Sequence, residues 1–216
     1  MRKKFDKQMT ELHEKIVDMC SFVENSLKDL ESALVNKDKD LASEIYKRDP
    51  LVDDMEKDIE DLVSRIIIRQ QPVATDLRKL TAALKIITDL ERIGDQTQDI
   101  SALILKMEDK PYKIQLVVLS TMFREVRDML KIAIDSYVVG DLDLALKIQQ
   151  RDDLIDECFL KVRNNCVNAI KEDSTYADQF VDLIQVGKYL ERIGDHAANI
   201  AEWVVYVETG KHRDLN

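Results

Sequence analysis

Leu90-Glu-Arg-Ile-Gly-Asp-Gln-Thr-Gln-Asp-Ile100 and Leu190-Glu-Arg-Ile-Gly-Asp-His-Ala-Ala-Asn-Ile200 share the pentapeptide ERIGD, 100 residues apart. Each copy carries a glutamate and an aspartate at i, i+4, one turn apart on one face of a helix. A repeat of about this length predicts two halves built alike. The likeness extends beyond the pentapeptide: Lys47-Arg-Asp-Pro-Leu-Val-Asp-Asp54 matches Gln150-Arg-Asp-Asp-Leu-Ile-Asp-Glu157, and Met19 to Val23 matches Met122 to Val126. Helical periodicity predicts helices over about 5–35, 38–70, 75–106, 114–139, 142–172 and 176–208. The fold class is therefore all-α, with two pseudo-symmetric antiparallel three-helix bundles in tandem, residues 1–108 and 112–216.

The breaks between helices carry local signals. Thr75 is a candidate N-cap after Gln71-Pro-Val-Ala. Gly140 suits a left-handed C′ position, and Asp141 suits the N-cap that follows it. Pro50 falls inside the second helix. It either kinks that helix or makes Asp49 an N-cap with proline at N1.

The halves hold two acidic pairs each: Asp49/Asp53 with Glu91/Asp95, and Asp152/Asp156 with Glu191/Asp195. At helical spacing Glu91 falls in the middle of the apolar stripe of Leu80, Leu84, Ile87 and Gly94, Asp95 on its edge and Asp99 further out. Glu191 lies on the stripe of Phe180, Ile184 and Gly187. A carboxylate on a core stripe must be protonated, paired or cation-bound. Counted from the intervening loop, the two pairs of each half stand at matched height, so four carboxylates converge in each bundle. Oxygen-only ligands suit hard cations such as Mg²⁺, Mn²⁺, Ca²⁺ or oxidised iron. Ordinary ion pairs from Arg92, Lys188 and Lys57 compete with that reading. Gly94 and Gly194 imply close approach of a neighbouring helix. Asp99 against Asn199 makes the two clusters unequal. His196 is a capping or packing residue or a nearby ligand, and His13 and His212 are expected in solvent.

A net charge of −10 speaks against nucleic-acid binding and for cations or a basic protein surface. No signal peptide is visible, and the apolar runs are far short of the ~20 residues that span a bilayer. Cys20, Cys158 and Cys166 have no metal-ligand spacing and read as buried thiols of a reducing compartment.

The two ERIGD motifs, Gln71-Pro-Val-Ala-Thr-Asp-Leu-Arg78, the Arg-Asp-x-x-[Val/Ile]-Asp elements at 48–53 and 151–156, and Ile200-Ala-Glu-Trp-Val204 with Thr209-Gly210 together resemble the PhoU family of phosphate-uptake regulators. The resemblance covers nearly the whole chain. It implies a cytoplasmic, non-enzymatic negative regulator of phosphate uptake and of the phosphate-starvation response. Such a protein bridges the ATPase subunit of the phosphate ABC transporter and a membrane sensor histidine kinase, and is commonly a homodimer. It also implies multinuclear iron or zinc clusters on Asp49, Asp53, Glu91, Asp95, Asp152, Asp156, Glu191 and Asp195, with Asp99 added by the residues themselves. The alternatives are a carboxylate-bridged metalloenzyme and a structural helical module without metal.

Overall fold

A computed structural model of the chain describes residues 2–210. The first half contains α1 (Arg2–Asn36), α2 (Lys39–Tyr46), α3 (Asp49–Gln70) and α4 (Thr75–Lys106). The second contains α5 (Val117–Val139), α6 (Leu142–Leu146), α7 (Ile148–Glu172) and, after a single 3-10 turn at Ser174–Tyr176, α8 (Ala177–Thr209). There is no strand among the described residues. In each half three long antiparallel helices close a bundle, as the periodicity predicts.

The apolar spacing explains the bundle. Along α1, Leu12, Ile16, Met19, Val23, Leu27, Leu30 and Leu34 recur every three or four residues and are all buried. Helices α4 and α8 carry a wider stripe: adjacent residues such as Ala82 and Ala83, Ile86 and Ile87, or Ala197 and Ala198 are buried together. One flank faces the helix's own bundle. The other faces the second bundle, and α4 against α8 is the most extensive helix pairing in the molecule. The small residues Thr97, Ser101, Ala197, Ala198 and Ala201 are buried along these two helices. Thr97 and Ser101 hydroxyls donate to Gly94 and Thr97 carbonyls at 2.7 and 2.8 Å, so neither is left unsatisfied.

Two expected helices are broken. The segment 38–70 divides at Lys47–Arg48, and 142–172 divides at Lys147. Proline accounts for the first break: Pro50 occupies the first turn of α3, where its missing N–H costs nothing. The second half breaks about one turn earlier in the repeat, at Lys147, without a proline. Asp49 is not the N-cap. Arg48 holds that position without a side-chain bond, and α3 starts at Asp49. Arg48 instead reaches Asp29 on α1 at 2.7 Å. Its counterpart Arg151 binds Glu125 at 2.6 Å and Asp128 at 3.2 Å on α5. Each arginine thus ties a helix start to the first helix of its bundle.

Thr75 is not a cap either. Ala74 precedes α4 with φ 46°, and the Thr75 hydroxyl accepts a bond from Arg78. The other turn signals hold. Gly140 is left-handed at φ 73°, and Asp141 accepts from the Leu144 N–H at 3.0 Å. Expected in solvent, His13 is half-buried with its ring edge-on to Tyr137 at 5.2 Å. His212 lies outside the described residues. The three cysteines are free and buried, as expected.

Candidate metal centre

Two glycines set how closely the acidic helices approach. A Cβ on Gly94 would meet Val52 Cγ1 at 3.0 Å, and one on Gly194 would meet Ile155 Cδ1 at 3.1 Å. Within each half these contacts pin α3 to α4 and α7 to α8. Mid-helix glycine costs about 1 kcal/mol against alanine. The close crossing is what it allows.

That crossing brings the predicted carboxylates into electrostatic range. In the first half Asp49 feels Asp53, Asp95 and Asp99, and its carboxyl is raised by burial first and then by those charges. Glu91 is raised by burial and by Asp95, with Glu56 and Asp53 adding to the effect and Arg92 opposing it. The second half is more crowded. Asp152, only 9 % exposed, is pushed up to about 7 by burial, then Asp195, Asp156, Asp153 and Glu191. Asp156 and Asp195 are also raised, by burial first and then by Glu191. In antiparallel register Asp49 stands opposite Asp95, Asp53 opposite Glu91, Asp152 opposite Asp195 and Asp156 opposite Glu191.

Two details differ from the sequence reading. Glu91 and Glu191 sit on the margin of the apolar stripe, their side chains 19 % and 15 % exposed. The stripe is centred on Ile87, Leu90 and Gly94, which are buried, whereas Leu84 is half-buried. The ion pairs expected of Arg92 and Lys188 form, and the one from Lys57 goes elsewhere. Arg92 bridges Glu91 at 3.5 Å and Asp95 at 3.0 Å, and Lys188 reaches Glu191 at 2.5 Å. Lys57 pairs with Asp54 rather than Asp53.

The sequence reading missed Glu56 and Asp153. Glu56 lies one turn below Asp53, accepts from the Thr88 hydroxyl at 3.2 Å, and adds to the charge on Glu91. Its helical spacing from Asp53 is the signal that could have found it.

The residues at 99 and 199 both turn toward the seam between the bundles. Asp99 serves both sides, raising Asp49 and hydrogen-bonding Tyr189 of α8. Asn199 donates to Asp89 of α4 at 3.4 Å, and His196 joins the same carboxylate at 2.9 Å. His196 is therefore neither a cap nor a mere packing residue. It is a polar tie between the halves. Asn199 is not turned to the acidic cluster, so the two clusters are unequal in position as well as charge.

Among the described residues no group of three or more His, Cys, Asp or Glu side chains is gathered tightly enough to hold a metal ion as it stands. The donor chemistry still suits a hard cation. All donors are carboxylate oxygens, and several are held above their ordinary pKa by burial and then by one another's negative charge, which a cation would relieve.

Comparison with known proteins places this architecture. A family model described as the PhoU domain matches residues 16–104 and again 119–204. The chain is 38 % identical over 216 residues to the phosphate-specific transport system accessory protein PhoU homolog of Clostridium acetobutylicum, covering 100 % of this chain and 99 % of that one. The homolog of Borreliella burgdorferi is 34 % identical, with coverage of 100 % and 99 %. Among solved structures, PhoU from Pseudomonas aeruginosa superposes with a TM-score of 0.91 at 31 % identity, covering 96 % of this chain and 100 % of that one. The phosphate transport system regulatory protein PhoU from Streptococcus pneumoniae superposes at 0.91 and 25 % identity, with coverage of 97 % and 99 %.

Proposed function

This chain belongs to the PhoU family, and from that premise we propose that it is a cytoplasmic negative regulator of phosphate uptake and of the phosphate-starvation response. It acts as an adaptor, in dimeric form, between the ATPase subunit of the phosphate ABC transporter and the sensor histidine kinase. The full-length match to phosphate-specific transport system accessory proteins is the observation that carries this reading. No helix among the described residues is long and apolar enough to cross a membrane, which is compatible with a role beside membrane proteins.

The regulator binds metal on its acidic faces. Asp49, Asp53, Glu91, Asp95 and Asp99 would hold it in the first bundle, and Asp152, Asp156, Glu191 and Asp195 in the second. Iron, zinc or a hard divalent ion would supply charge neutralisation, fixing α3 against α4 and α7 against α8. Arg92 and Lys188 would then swing away from Glu91, Asp95 and Glu191. The support is the gathering of carboxylates whose pKa values are raised by burial first and by one another's charge second. The elevation of Asp152 to about 7 also favours a second reading, a carboxylate-bridged hydrolase with Asp152 as proton carrier.

Three measurements separate these readings. Affinity capture of the tagged chain from phosphate-replete cells should retain the transporter ATPase, and its absence under cross-linking would overturn the adaptor. Elemental analysis should find metal in the wild type and less in Glu91→Ala/Asp95→Ala, with a matching fall in metal-induced thermal stabilisation. Equal, substoichiometric metal in both proteins would sink the metal reading. Phosphoester turnover that disappears with Asp152→Asn would favour the hydrolase.

A further inference from the structure

At one end of the first bundle α1 begins, α3 ends and α4 begins. The three segments meet there: Gln70 donates to Gln8 at 2.9 Å, and Phe5, Asp6, Gln70 to Val73 and Asp76 line one shallow recess. The charge of this end is opposite to that of the molecule. Residues 3–7 and 65–79 hold seven Lys or Arg against two Asp, whereas the whole chain holds 32 against 42 Asp or Glu. Lys3, Lys4, Lys7, Arg65 and Arg69 are exposed, and none forms an ion pair with a described residue. Apolar side chains stand among them, with Ile68 76 %, Val73 74 % and Leu77 42 % exposed.

The connection between α3 and α4 holds its apolar tip outward. Gln71 and Ala74 both have positive φ, 48° and 46°, and flank Pro72-Val73. Positive φ is uncommon for residues other than glycine and costs of order 1–3 kcal/mol at each. The equivalent connection in the second bundle, Asp173 to Tyr176, is built differently. Asp173 closes it by accepting from the Thr175 N–H at 2.9 Å, and no large apolar residue is exposed there. An apolar tip is therefore not needed to join two helices of this bundle.

We propose that this end of the first bundle docks peripherally on an anionic phospholipid surface. Lys3, Lys4, Lys7, Arg65 and Arg69 lie over headgroup phosphates while Val73 enters the interface. The charge complementarity carries the assignment. Exposed cations on α1 and α3 stand at the same end as an apolar tip, and each cation at an anionic bilayer strengthens binding by about fivefold. A membrane rather than an acidic protein is favoured because apolar Val73 stands out from the same end as cations that form no ion pair with a described residue. The rest of the chain is acidic and would be repelled, so the contact also fixes the orientation of the bundle axes to the membrane. The inference is independent of metal binding and of the adaptor role.

The test is co-sedimentation of the full chain with phosphatidylcholine vesicles, with and without about one-third phosphatidylglycerol, at about 0.1 M salt, where the Debye length is about 10 Å. A protein of pI about 4.9 should otherwise avoid anionic vesicles. The expected result is binding only to phosphatidylglycerol vesicles, lost at high salt. Arg65→Gln/Arg69→Gln should weaken it roughly 25-fold, and Val73→Asp should weaken it too. Lys131→Gln/Lys171→Gln, on exposed positions elsewhere, should leave it unchanged, and circular dichroism checks the fold of every variant. No binding by the wild type, or equal loss with both double variants, would overturn the proposal. Binding of polyglutamate through Arg65 and Arg69 without vesicle binding would overturn it in favour of an acidic protein partner.

Discussion

Replacing Asp152 by asparagine isolates the most crowded carboxyl in the molecule. Its carboxylate lies against Gly194, with Oδ1 3.5 Å from where a Cβ would be, and three further acids plus Glu191 surround it. Its pKa is pushed from 3.8 to about 7. A shift of about 3 units corresponds to a ceiling of about 4 kcal/mol. Asp153 and Asp156 are exposed, so water screens their share, and about 2 kcal/mol is the expected net effect. The sign follows from linkage. The folded state binds the proton more tightly than the unfolded state, so this stability is fully present below about pH 4. It is lost as pH rises through about 7. Asparagine keeps the neutral shape at every pH. Asp152→Asn should therefore match wild type near pH 4 and exceed it by about 2 kcal/mol near pH 8, roughly 4–8 °C in Tm for a chain of this size. Urea unfolding at both pH values, with chelator present, measures this. Asp49, Glu56, Glu91, Asp156 and Asp195 are also raised, but their effect is largely common to both proteins. A variant less stable than wild type near pH 8, or an equal gap at both pH values, would refute the reasoning.

Gly94→Leu should destabilise by about 2 kcal/mol in chemical denaturation, because even a Cβ meets Val52 at 3.0 Å and Val52 is stiff at χ1; no loss would mean that α3 does not approach so closely. Arg151→Ala should cost about 2 kcal/mol by leaving the buried Glu125 without its 2.6 Å partner, and Glu125→Gln in the same chain should restore part of it. The thiols of Cys20 and Cys166 are pushed up by burial to about 12 and about 11. Both should resist a thiol reagent near pH 8 in the folded protein and react fully in denaturant; fast labelling of the native chain would contradict the core packing.

How much of the site was legible depended on the range of the interaction. Acidic spacing in α4 and α8 is local, so the i, i+4 pairs Glu91/Asp95 and Glu191/Asp195 could be read directly. Antiparallel register follows from loop position, which placed Asp49/Asp53 level with Glu91/Asp95 and Asp152/Asp156 level with Glu191/Asp195. Glu56 escaped because its charge counts through Glu91 on the partner helix, and Asp153 because it stands beside Asp152 and outside the i, i+4 pattern. The positions of Glu91 and Glu191 were misread because α4 and α8 each bury two flanks. An idealised wheel then has no single apolar centre, and only the packing says which flank faces which neighbour. His196 illustrates the same limit: its partner Asp89 lies across the seam, 107 residues away.

By itself the sequence determined the all-α class, the internal duplication, the helix-ending Gly140 and the glycines at which helices cross. These depend on backbone conformation and periodicity, which are properties of neighbouring residues. Tertiary structure alone decided that Arg48, not Asp49, caps the start of α3. It also decided that His196 and Asn199 meet Asp89 across the seam, and that the basic ends of α1, α3 and α4 converge around Val73. Those outcomes depend on where separate helices end in space, and charge acts through space rather than along the chain.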